Sequence, residues 1–446
     1  MKKTRTRLWS LLLTVAMLLT LLPTTALAGE GDVAQVGDAT YATLQEAIEA
    51  ANTSGGTITL LDDITLDSTL VLSGSTIDIT IDLAQHTLTS SVQDDALSIE
   101  LEDGAALTVK NGQIEANDYE ESYYSVIAVN TQCSLTLDNV EFNSTGTPLA
   151  PSGDAAEVNV INHSVINGGA YCVATNASTS GNYGVEINLE NSDFSGASTV
   201  FLNVPGTLHM NNCTVFGTMH GVVVRGGTAE IRNCQITLEY PDDDAEAISK
   251  YFDNQNWGSG NMLNLAALTM GNKNPNAYQY PTDVTLVRTT LKSVGEYADL
   301  FPAVYAWANS DPGNGVTVSY DNCTINGAVV YGNDGNNIDA TIVNGPVKDD
   351  SGNYYFTLAD AVAAVIDSDT KTGTVTLLDD CSGAGIGLFN TKGANGIDLT
   401  IDFGGYTYTC EDPAVGSTGT ESQGFHLEKG NTVTLKNGAI VVDEDS

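Results

Sequence analysis

A short phrase recurs along this chain in steps of 21 to 29 residues. Two alternating apolar residues and a spacer are followed by an asparagine, a small residue and another apolar position, as in 107–114 and 135–142. The recurring positions are Asn111, Asn139, Asn162, Asn191, Asn212 and Asn233, and later copies place Arg288 and Asn322 there. A repeat of this length, made of short alternating strands, predicts a solenoid.

The variable step predicts an all-β, right-handed parallel β-helix. A left-handed hexapeptide helix would keep a stricter period, and a propeller would repeat at roughly 40–45 residues. Asparagine tolerates the left-handed backbone of a sharp bend, so stacked copies should form an asparagine ladder. At about 23 residues per coil, 57–340 would make roughly 12 coils.

A short helix is predicted before the first strand, at about 43–51. Thr43 and Glu46 have the spacing of a capping box, and the apolar residues that follow share one helical face. We expect this helix to plug the open end of the stacked core.

The same opening returns near the C-terminus, with Thr357 in the place of Thr43, and predicts a second cap helix at about 357–365. The organisation we expect is a complete unit at 29–343 followed by an incomplete second copy at 344–446.

Residues 1–28 have the features of an export signal. Four basic residues precede an apolar stretch, and Ala26-Leu27-Ala28 resembles a cleavage site. We therefore expect a secreted or cell-surface protein that begins near Gly29 and has no membrane span after cleavage.

The charge balance limits the partners. The formal net charge is −40, and it becomes −44 without the four basic residues of 1–28. Nucleic acid and anionic membranes need basic patches, so neither is an expected partner. A polyanionic substrate would be repelled unless calcium bridged the two.

The seven cysteines do not suggest a disulfide scaffold. Cys213, Cys234 and Cys323 each follow the recurring asparagine position, and no cysteine spacing typical of a metal site occurs. A column of small buried side chains is favoured over a disulfide or metal site.

The helix followed by asparagine-marked coils resembles secreted bacterial right-handed β-helix proteins of the pectate-lyase-like superfamily, over nearly all of the expected mature chain. That resemblance implies the fold. It leaves activity open, because the superfamily includes lyases, glycosidases, phage spikes, adhesins and non-catalytic stalks.

The sequence alone does not identify catalytic residues. A lyase would need calcium-binding carboxylates and a basic residue, but Arg225, Arg232 and Arg288 lie beside no carboxylate cluster in the sequence. His220-Gly221 lacks the flanking aspartates of a hydrolase. The aspartate pairs at 62–63 and 379–380 follow equivalent strands and are interpreted as structural turns.

The most site-like stretches interrupt the repeat between Glu239 and Asp283 and again near 297–307. Exposed aromatic rings stack on sugars, and an acidic triplet can hold calcium or accept hydrogen bonds from hydroxyl groups. The carbohydrate-binding candidates are Asp242, Asp243, Asp244, Tyr251, Trp257, Tyr305 and Trp307. The alternative is that these aromatic side chains only pack the loops against the coils.

Three functions stay open. The first is non-catalytic, adhesin-like binding of an extracellular polysaccharide or a host-surface glycan, which the absent catalytic signatures favour. The second is a polysaccharide lyase or glycoside hydrolase, and the third is a stalk module of a longer surface protein. The incomplete second copy also predicts association or proteolytic trimming after about Lys348.

Overall fold

The computed structural model describes residues 31–442 except for a set of short gaps. The gaps are 55, 93–95, 118, 120, 176–183, 241–264, 272–279, 299, 309–314, 334–336, 390–395, 413–414 and 416–423. The export signal expected at 1–28 therefore lies outside the described residues.

The chain is built almost entirely of short strands, with one helix at the start of each of two units. The helices are α1 (Leu44–Ser54) and α2 (Leu358–Asp367). We call β1 to β29 with α1 the first unit, and β30 to β39 with α2 the second unit.

The strands of the first unit are β1 (Ala34–Val36), β2 (Ala39–Tyr41), β3 (Thr57–Leu60), β4 (Ile64–Leu66), β5 (Leu70–Ser73), β6 (Asp78–Asp82), β7 (Thr87–Ser90), β8 (Ile99–Glu102), β9 (Ala106–Ala116), β10 (Ser125–Val129), β11 (Ser134–Ser144), β12 (Thr147–Pro151), β13 (Glu157–Ile161), β14 (Val165–Asn167), β15 (Val173–Ala174), β16 (Val185–Glu190), β17 (Asp193–Leu202), β18 (Gly206–Asn211), β19 (Thr214–Val224), β20 (Gly227–Arg232), β21 (Gln235–Glu239), β22 (Ala266–Gly271), β23 (Thr282–Val287), β24 (Thr290–Val294), β25 (Val304–Ala308), β26 (Val316–Asp321), β27 (Thr324–Asn326), β28 (Val329–Asn333) and β29 (Ile338–Val343).

The strands of the second unit are β30 (Val347–Asp349), β31 (Tyr354–Tyr355), β32 (Thr372–Leu377), β33 (Cys381–Ala384), β34 (Ile386–Leu388), β35 (Asp398–Asp402), β36 (Thr407–Asp412), β37 (Phe425–Leu427), β38 (Thr432–Lys436) and β39 (Ala439–Val442).

Successive strands of each coil join three different stacks, which we call faces A, B and C. Face A stacks β3, β6, the first part of β9, the first part of β11, β13, β16, β18, β20, β23, β26 and β29. Face B stacks β4, β7, the second parts of β9 and β11, β14, the first parts of β17 and β19, β21, β24 and β27. Face C stacks β5, β8, β10, β12, β15, the second parts of β17 and β19, β22, β25 and β28.

Pairing within each face is parallel, and it repeats coil after coil. The inward residues Leu107, Leu135, Val158 and Ile187 stand in one register column of face A, and all are buried. The chain is a right-handed parallel β-helix with capping helices and a partial second copy, as the sequence predicted.

The coil count is close to the one expected from the sequence. Face A has eleven strands within the described residues of the first unit, against the roughly 12 coils expected from an average step. The recurring position advances by 55 residues from Asn233 to Arg288, because that coil contains the longest interruption of the repeat. Interruptions lengthen the chain without adding strands to the stack.

The asparagine ladder is confirmed at the bend between faces A and B. Each ladder residue has a φ between +47° and +62°, namely Asn111, Asn139, Asn162, Asn191, Asn212, Asn233, Arg288, Asn322, Asn344 and Asn437. Side chains also link coils: Asn139 Nδ2 donates to Asn111 Oδ1 at 3.1 Å, and Asn212 Nδ2 to Asn191 Oδ1 at 2.8 Å. The ladder therefore turns the chain and also stabilises the stack along its axis.

Helix α1 covers the first coil of the core. Leu44, Ala47, Ile48 and Ala51 are buried on one face of the helix. Thr43 Oγ1 accepts a hydrogen bond from the backbone N–H of Glu46 at 3.2 Å, which satisfies one donor of the first turn. The helix shields apolar side chains that the first coil would otherwise expose.

The second unit repeats these local interactions. Thr357 Oγ1 accepts from the backbone N–H of Asp360 at 3.1 Å, as Thr43 does from Glu46. Asp402 Oδ1 accepts from Asn437 Nδ2 at 3.0 Å, as Asp82 does from Asn111 at 3.2 Å. The same residue types at matching positions give the same turns.

The cysteines that follow ladder positions are small buried side chains, as expected from the sequence. Cys213, Cys234 and Cys323 are each 4% exposed or less. All seven cysteines are free thiols. Cys172 is fully buried, and burial raises its pKa from the ordinary 9.0 to about 12 because the interior disfavours the thiolate.

Replacing Arg288 by Asn should stabilise the protein. Arginine is held at φ +47° there, and the left-handed conformation costs residues other than Gly, Asn and Asp about 1–2 kcal/mol. We expect Arg288→Asn to raise the free energy of unfolding by about 1 kcal/mol in equilibrium denaturation. Asn212→Ala, the opposite change at an equivalent position, should lower it, and a loss of stability in Arg288→Asn would contradict this account.

The buried thiol of Cys172 should make the protein less stable in alkali. The folded-state pKa of about 12 exceeds the ordinary 9.0, so the native state retains a proton that the unfolded chain releases. The free energy of unfolding should fall as pH rises through this window. In Cys172→Ser the slope should be shallower by up to about 1.4 kcal/mol per pH unit, measured by denaturant titrations between these pH values. Equal slopes in the two proteins would contradict the assignment.

Candidate functional site

Five of the seven carbohydrate-binding candidates lie outside the described residues. These are Asp242, Asp243, Asp244, Tyr251 and Trp257. The other two, Tyr305 and Trp307, lie on β25 of face C, with their register fixed by the strands on both sides.

Tyr305 belongs to a column of outward positions on face C. Phe201, Val223, Thr269, Tyr305 and Val330 are register partners on five successive strands. The middle of this column is covered, because Val223, Thr269 and Tyr305 are each 2% exposed or less. Tyr305 therefore packs against protein and does not present its ring to solvent, which is the packing role that the sequence left open.

Trp307 stands in the next column of the same face, between Gly271 and Gly332. A Cβ on Gly332 would lie 2.8 Å from Trp307 Cε3 and 3.0 Å from Cζ3, so the indole rests directly against the backbone there. Its side chain is partly buried and packs on the cluster of Val223, Ala266 and Tyr305. Glycine at position 332 thus makes room for an aromatic ring laid along the sheet.

Two aromatic residues that are not among the candidates predicted from the sequence extend the surface formed by Tyr305 and Trp307. Tyr171 and Phe201 are both partly buried, with ring centroids 5.3 Å apart in an edge-to-face arrangement. Phe201 packs on the same cluster as Trp307. We call Tyr171, Phe201, Tyr305 and Trp307 the aromatic wall. The register of face C could have identified Phe201, but that register depends on coil lengths that the sequence does not give.

Polar side chains accompany the aromatic wall. Arg225 is 3% exposed, and its positive charge partly offsets the burial that raises the pKa of Tyr171. Thr175 and Asn203 are buried beside it, and Thr175 Oγ1 accepts from the backbone N–H of Asn203 at 2.6 Å. A guanidinium, an amide and a hydroxyl group thus lie close to the rings.

The other basic residues singled out in the sequence have structural partners. Arg232 forms an ion pair with Glu230, with its Nε 2.6 Å from Glu230 Oε1. Arg288 donates from Nε to Asn233 Oδ1 at 2.8 Å, within the ladder. His220 is buried at 7% exposure, with its Nδ1 2.9 Å from Ser198 Oγ.

The aspartate pair at 62–63 forms the turn expected of it. Asp62 Oδ1 accepts from the backbone N–H of Asp63, and Asp63 Oδ1 accepts from that of Thr87, both at 2.9 Å. The pair at 379–380 makes the equivalent bonds, with Asp380 Oδ1 accepting from Thr407 N at 2.7 Å. In each pair, one oxygen of each carboxylate therefore accepts a backbone hydrogen bond that stabilises the turn.

The two aromatic residues at the start of the second interruption, Tyr297 and Phe301, pack against Tyr240. Phe301 is 2% exposed and stacks on Tyr240, with ring centroids 5.1 Å apart. Tyr297 meets the same ring edge-on at 6.2 Å. These residues hold the interruption against the coil and do not form a binding surface.

A cleft lies between the last coils of the first unit and the start of the second unit. Its volume is about 470 Å³. The wall from the first unit contains Asn322, Cys323, Thr324, Ile325, Asn326, Asn344 and Gly345, and the wall from the second unit contains Pro346, Tyr354, Phe356, Leu378, Asp379, Asp380, Cys381, Ser382 and Thr409. Burial, together with the charges of Asp379 and Asp380, raises the pKa of Cys381 to about 12.

The described ranges contain no group of three His, Cys, Asp or Glu side chains placed to hold a metal ion. Calcium binding by Asp242–Asp244 stays a prediction, because that triplet lies outside them. Within the same part of the chain, no helix is long and apolar enough to cross a bilayer.

No protein-family model matches this chain, and no curated protein matches it. Among solved structures, the crystal structure of Dettilon tailspike protein (gp208) is similar, at 12% sequence identity and a TM-score of 0.30. The match covers 68% of this chain and 65% of the tailspike chain, so it spans just under two thirds of that chain.

Substituting Gly332 by Ala should displace the Trp307 ring. The added methyl group would lie 2.8 Å from Cε3, so the indole must move away from the backbone. We expect a shift in Trp307 fluorescence, measured on residues 29–446 in a Trp257→Phe background so that Trp307 is the single tryptophan, and a loss of about 1–3 kcal/mol of stability. Gly196→Ala, whose added Cβ meets nothing closer than 3.5 Å, is the matched control. An unchanged spectrum in Gly332→Ala would contradict the geometry.

Proposed function

We propose that this protein is an exported β-helix that binds glycans on face C without cleaving them, as a secreted or surface-displayed, adhesin-like protein. The observation that carries the proposal is the Trp307 indole, laid against the backbone at Gly332 and only partly buried. A ring held flat along a rigid sheet is a platform on which the apolar face of a sugar can stack.

The aromatic wall extends along the helix axis and could follow a chain of sugar residues. Phe201 lies on β17 and Trp307 on β25, three strand steps apart by register. Three steps of parallel strands correspond to about 14 Å. Two partly exposed rings at this separation would contact more than one residue of an extended polysaccharide.

The charge of the molecule favours an uncharged glycan. The formal net charge of −40 would repel a polyanion at long range. The buried guanidinium of Arg225 acts on Tyr171, whose pKa its charge lowers, but one positive charge is small against the net charge of the molecule. Neutral polysaccharides are therefore the expected partners.

Binding without cleavage is supported by the positions of the basic side chains. A lyase needs a free base next to the carbon that loses its proton. Arg232 is paired with Glu230, and Arg288 is part of the ladder. Polysaccharide cleavage remains the alternative that the experiment below can detect.

The proposal is tested with residues 29–446 and a panel of insoluble cellulose, chitin, starch and mannan. Co-sedimentation should retain the protein on at least one of these, with no new reducing or unsaturated ends. Trp307→Ala should weaken retention at least about tenfold, because a central aromatic contact often carries much of the binding energy.

Phe389→Ala is the matched control, since Phe389 is an exposed aromatic residue (44%) of the second unit, far along the chain from the aromatic wall. It should leave retention unchanged. New chain ends would replace the proposal with a polysaccharide-cleaving enzyme. If both variants weaken retention equally and have equal melting temperatures, the aromatic wall is not the binding surface.

A further inference from the structure

We propose that the cleft between the two units is a second ligand site, which takes an uncharged sugar residue or a similar polyhydroxylated group. This inference does not depend on the aromatic wall, because the cleft lies at the junction of the units and not on face C. Its volume of about 470 Å³ is within the range of roughly 300–1,000 Å³ that is usual for small-molecule sites.

The two walls of the cleft present complementary hydrogen-bonding groups. The wall from the first unit contains the amides of Asn322, Asn326 and Asn344 and the hydroxyl of Thr324. The facing wall contains the carboxylates of Asp379 and Asp380 and the hydroxyls of Ser382 and Thr409. Asn344 Nδ2 already donates one hydrogen bond to Asp321 Oδ1 at 2.9 Å and keeps one N–H for another partner. Amide, hydroxyl and carboxylate groups in one cleft suit a ligand whose hydroxyl groups can both donate and accept.

The two carboxylates have acceptor capacity to spare. Asp379 Oδ1 accepts from the backbone N–H of Asp380 at 2.8 Å, and Asp380 Oδ1 accepts from that of Thr407 at 2.7 Å. In the described part of the chain, no donor reaches the Oδ2 atom of either residue. Both aspartates are exposed, so a ligand hydroxyl could donate to either Oδ2 without displacing a structural bond.

Apolar side chains lie among these polar groups. Ile325, Pro346, Leu378 and Phe356 line the cleft. Phe356 is held in place by Tyr320, whose ring it meets edge-to-face at 4.9 Å. A few apolar contacts beside convergent polar groups suit the C–H surface of a sugar ring.

The charges in the cleft select against anionic sugars. Asp379 and Asp380 line it, and no lysine, arginine or histidine is among the lining residues that the structure describes. Lys348 is near, but its Nζ lies over the Tyr354 ring, 4.9 Å from the centroid. A uronate would place its carboxylate near two others, and a neutral sugar avoids that repulsion.

The first unit supplies a natural comparison. Its groove at the matching place has a volume of about 390 Å³ and includes Val33, Ala42, Asp63, Ile64 and Thr65, which correspond to Pro346, Phe356, Asp380, Cys381 and Ser382. The rest of its described lining is Thr43, Leu44, Gln45, Leu66, Asp67, Ser68, Thr69 and Leu70. Gln45 is the one carboxamide among these described residues, against three asparagines in the cleft, and Ala42 stands where the cleft has Phe356. We call this groove the half-site, because it shares the acidic turn with the cleft but has different residues around it.

The inference is tested by saturation-transfer NMR and affinity titration on residues 29–446. The probes are the methyl glycosides of glucose, galactose and mannose, N-acetylglucosamine, and the anionic sugars glucuronate and galacturonate. At least one neutral probe should bind with millimolar affinity, and the uronates should bind at least about tenfold more weakly. Asp379→Asn with Asp380→Asn should weaken the neutral probe about tenfold, because each carboxylate acceptor becomes a weaker amide acceptor.

Two further variants separate the cleft from other sites. Asn326→Trp should fill the cleft and abolish the signal, whereas Asp62→Asn with Asp63→Asn, the equivalent change in the half-site, should leave it unchanged. The proposal is overturned if no neutral probe binds, if uronates bind equally well, or if Asn326→Trp has no effect. Loss of the signal in Trp307→Ala alone would assign the binding to face C, which would refute this site and leave the proposed function intact.

Discussion

The left-handed turn at the ladder position is the constraint on which the rest of the architecture depends. From Asn111 to Asn322, each coil passes from face A to face B through a ladder residue with φ between +47° and +58°, and only a few residue types adopt that conformation at low cost. From Asn191 to Asn322, the backbone N–H of each ladder residue donates to the next coil, as Asn212 does to Arg232 O at 3.0 Å. Once this corner is fixed, the strands on either side have a single register, and alternation decides which side chains enter the core.

That fixed register is also what assembles the aromatic wall. Phe201 and Trp307 are separated by more than a hundred residues in the chain, yet face C places them three strands apart. The intervening coils vary in length, but every one returns to the same column because its corner is anchored. A solenoid can therefore place long insertions beside a surface without disturbing the spacing of the residues on that surface.

The sequence predicted those features that have a local signature. The ladder asparagines, the capping Thr43 and Thr357, and the duplicated turns are each determined by a few neighbouring residues, and the structure has them all. The number of coils could be predicted only approximately, because interruptions consume residues without adding strands. Nor could the sequence show that Tyr305 is covered while Trp307 is partly exposed, since both alternate outward on one strand. The sequence could not predict the cleft, because the two walls of the cleft come from separate units.

Duplication gives a repeat protein a junction between units, and this junction brings together side chains that neither copy brings together alone. The acidic turn at 379–380 and the turn at 62–63 make the same structural hydrogen bonds, so the turn itself is part of the fold. What differs is the surroundings, because the second copy follows the ladder end of the first unit, where Asn344 lines the same cleft as the turn. A structural turn becomes a candidate binding group when a second wall stands across from it. In a chain of such units, faces set by register can bind extended ligands, whereas junctions can enclose small ones.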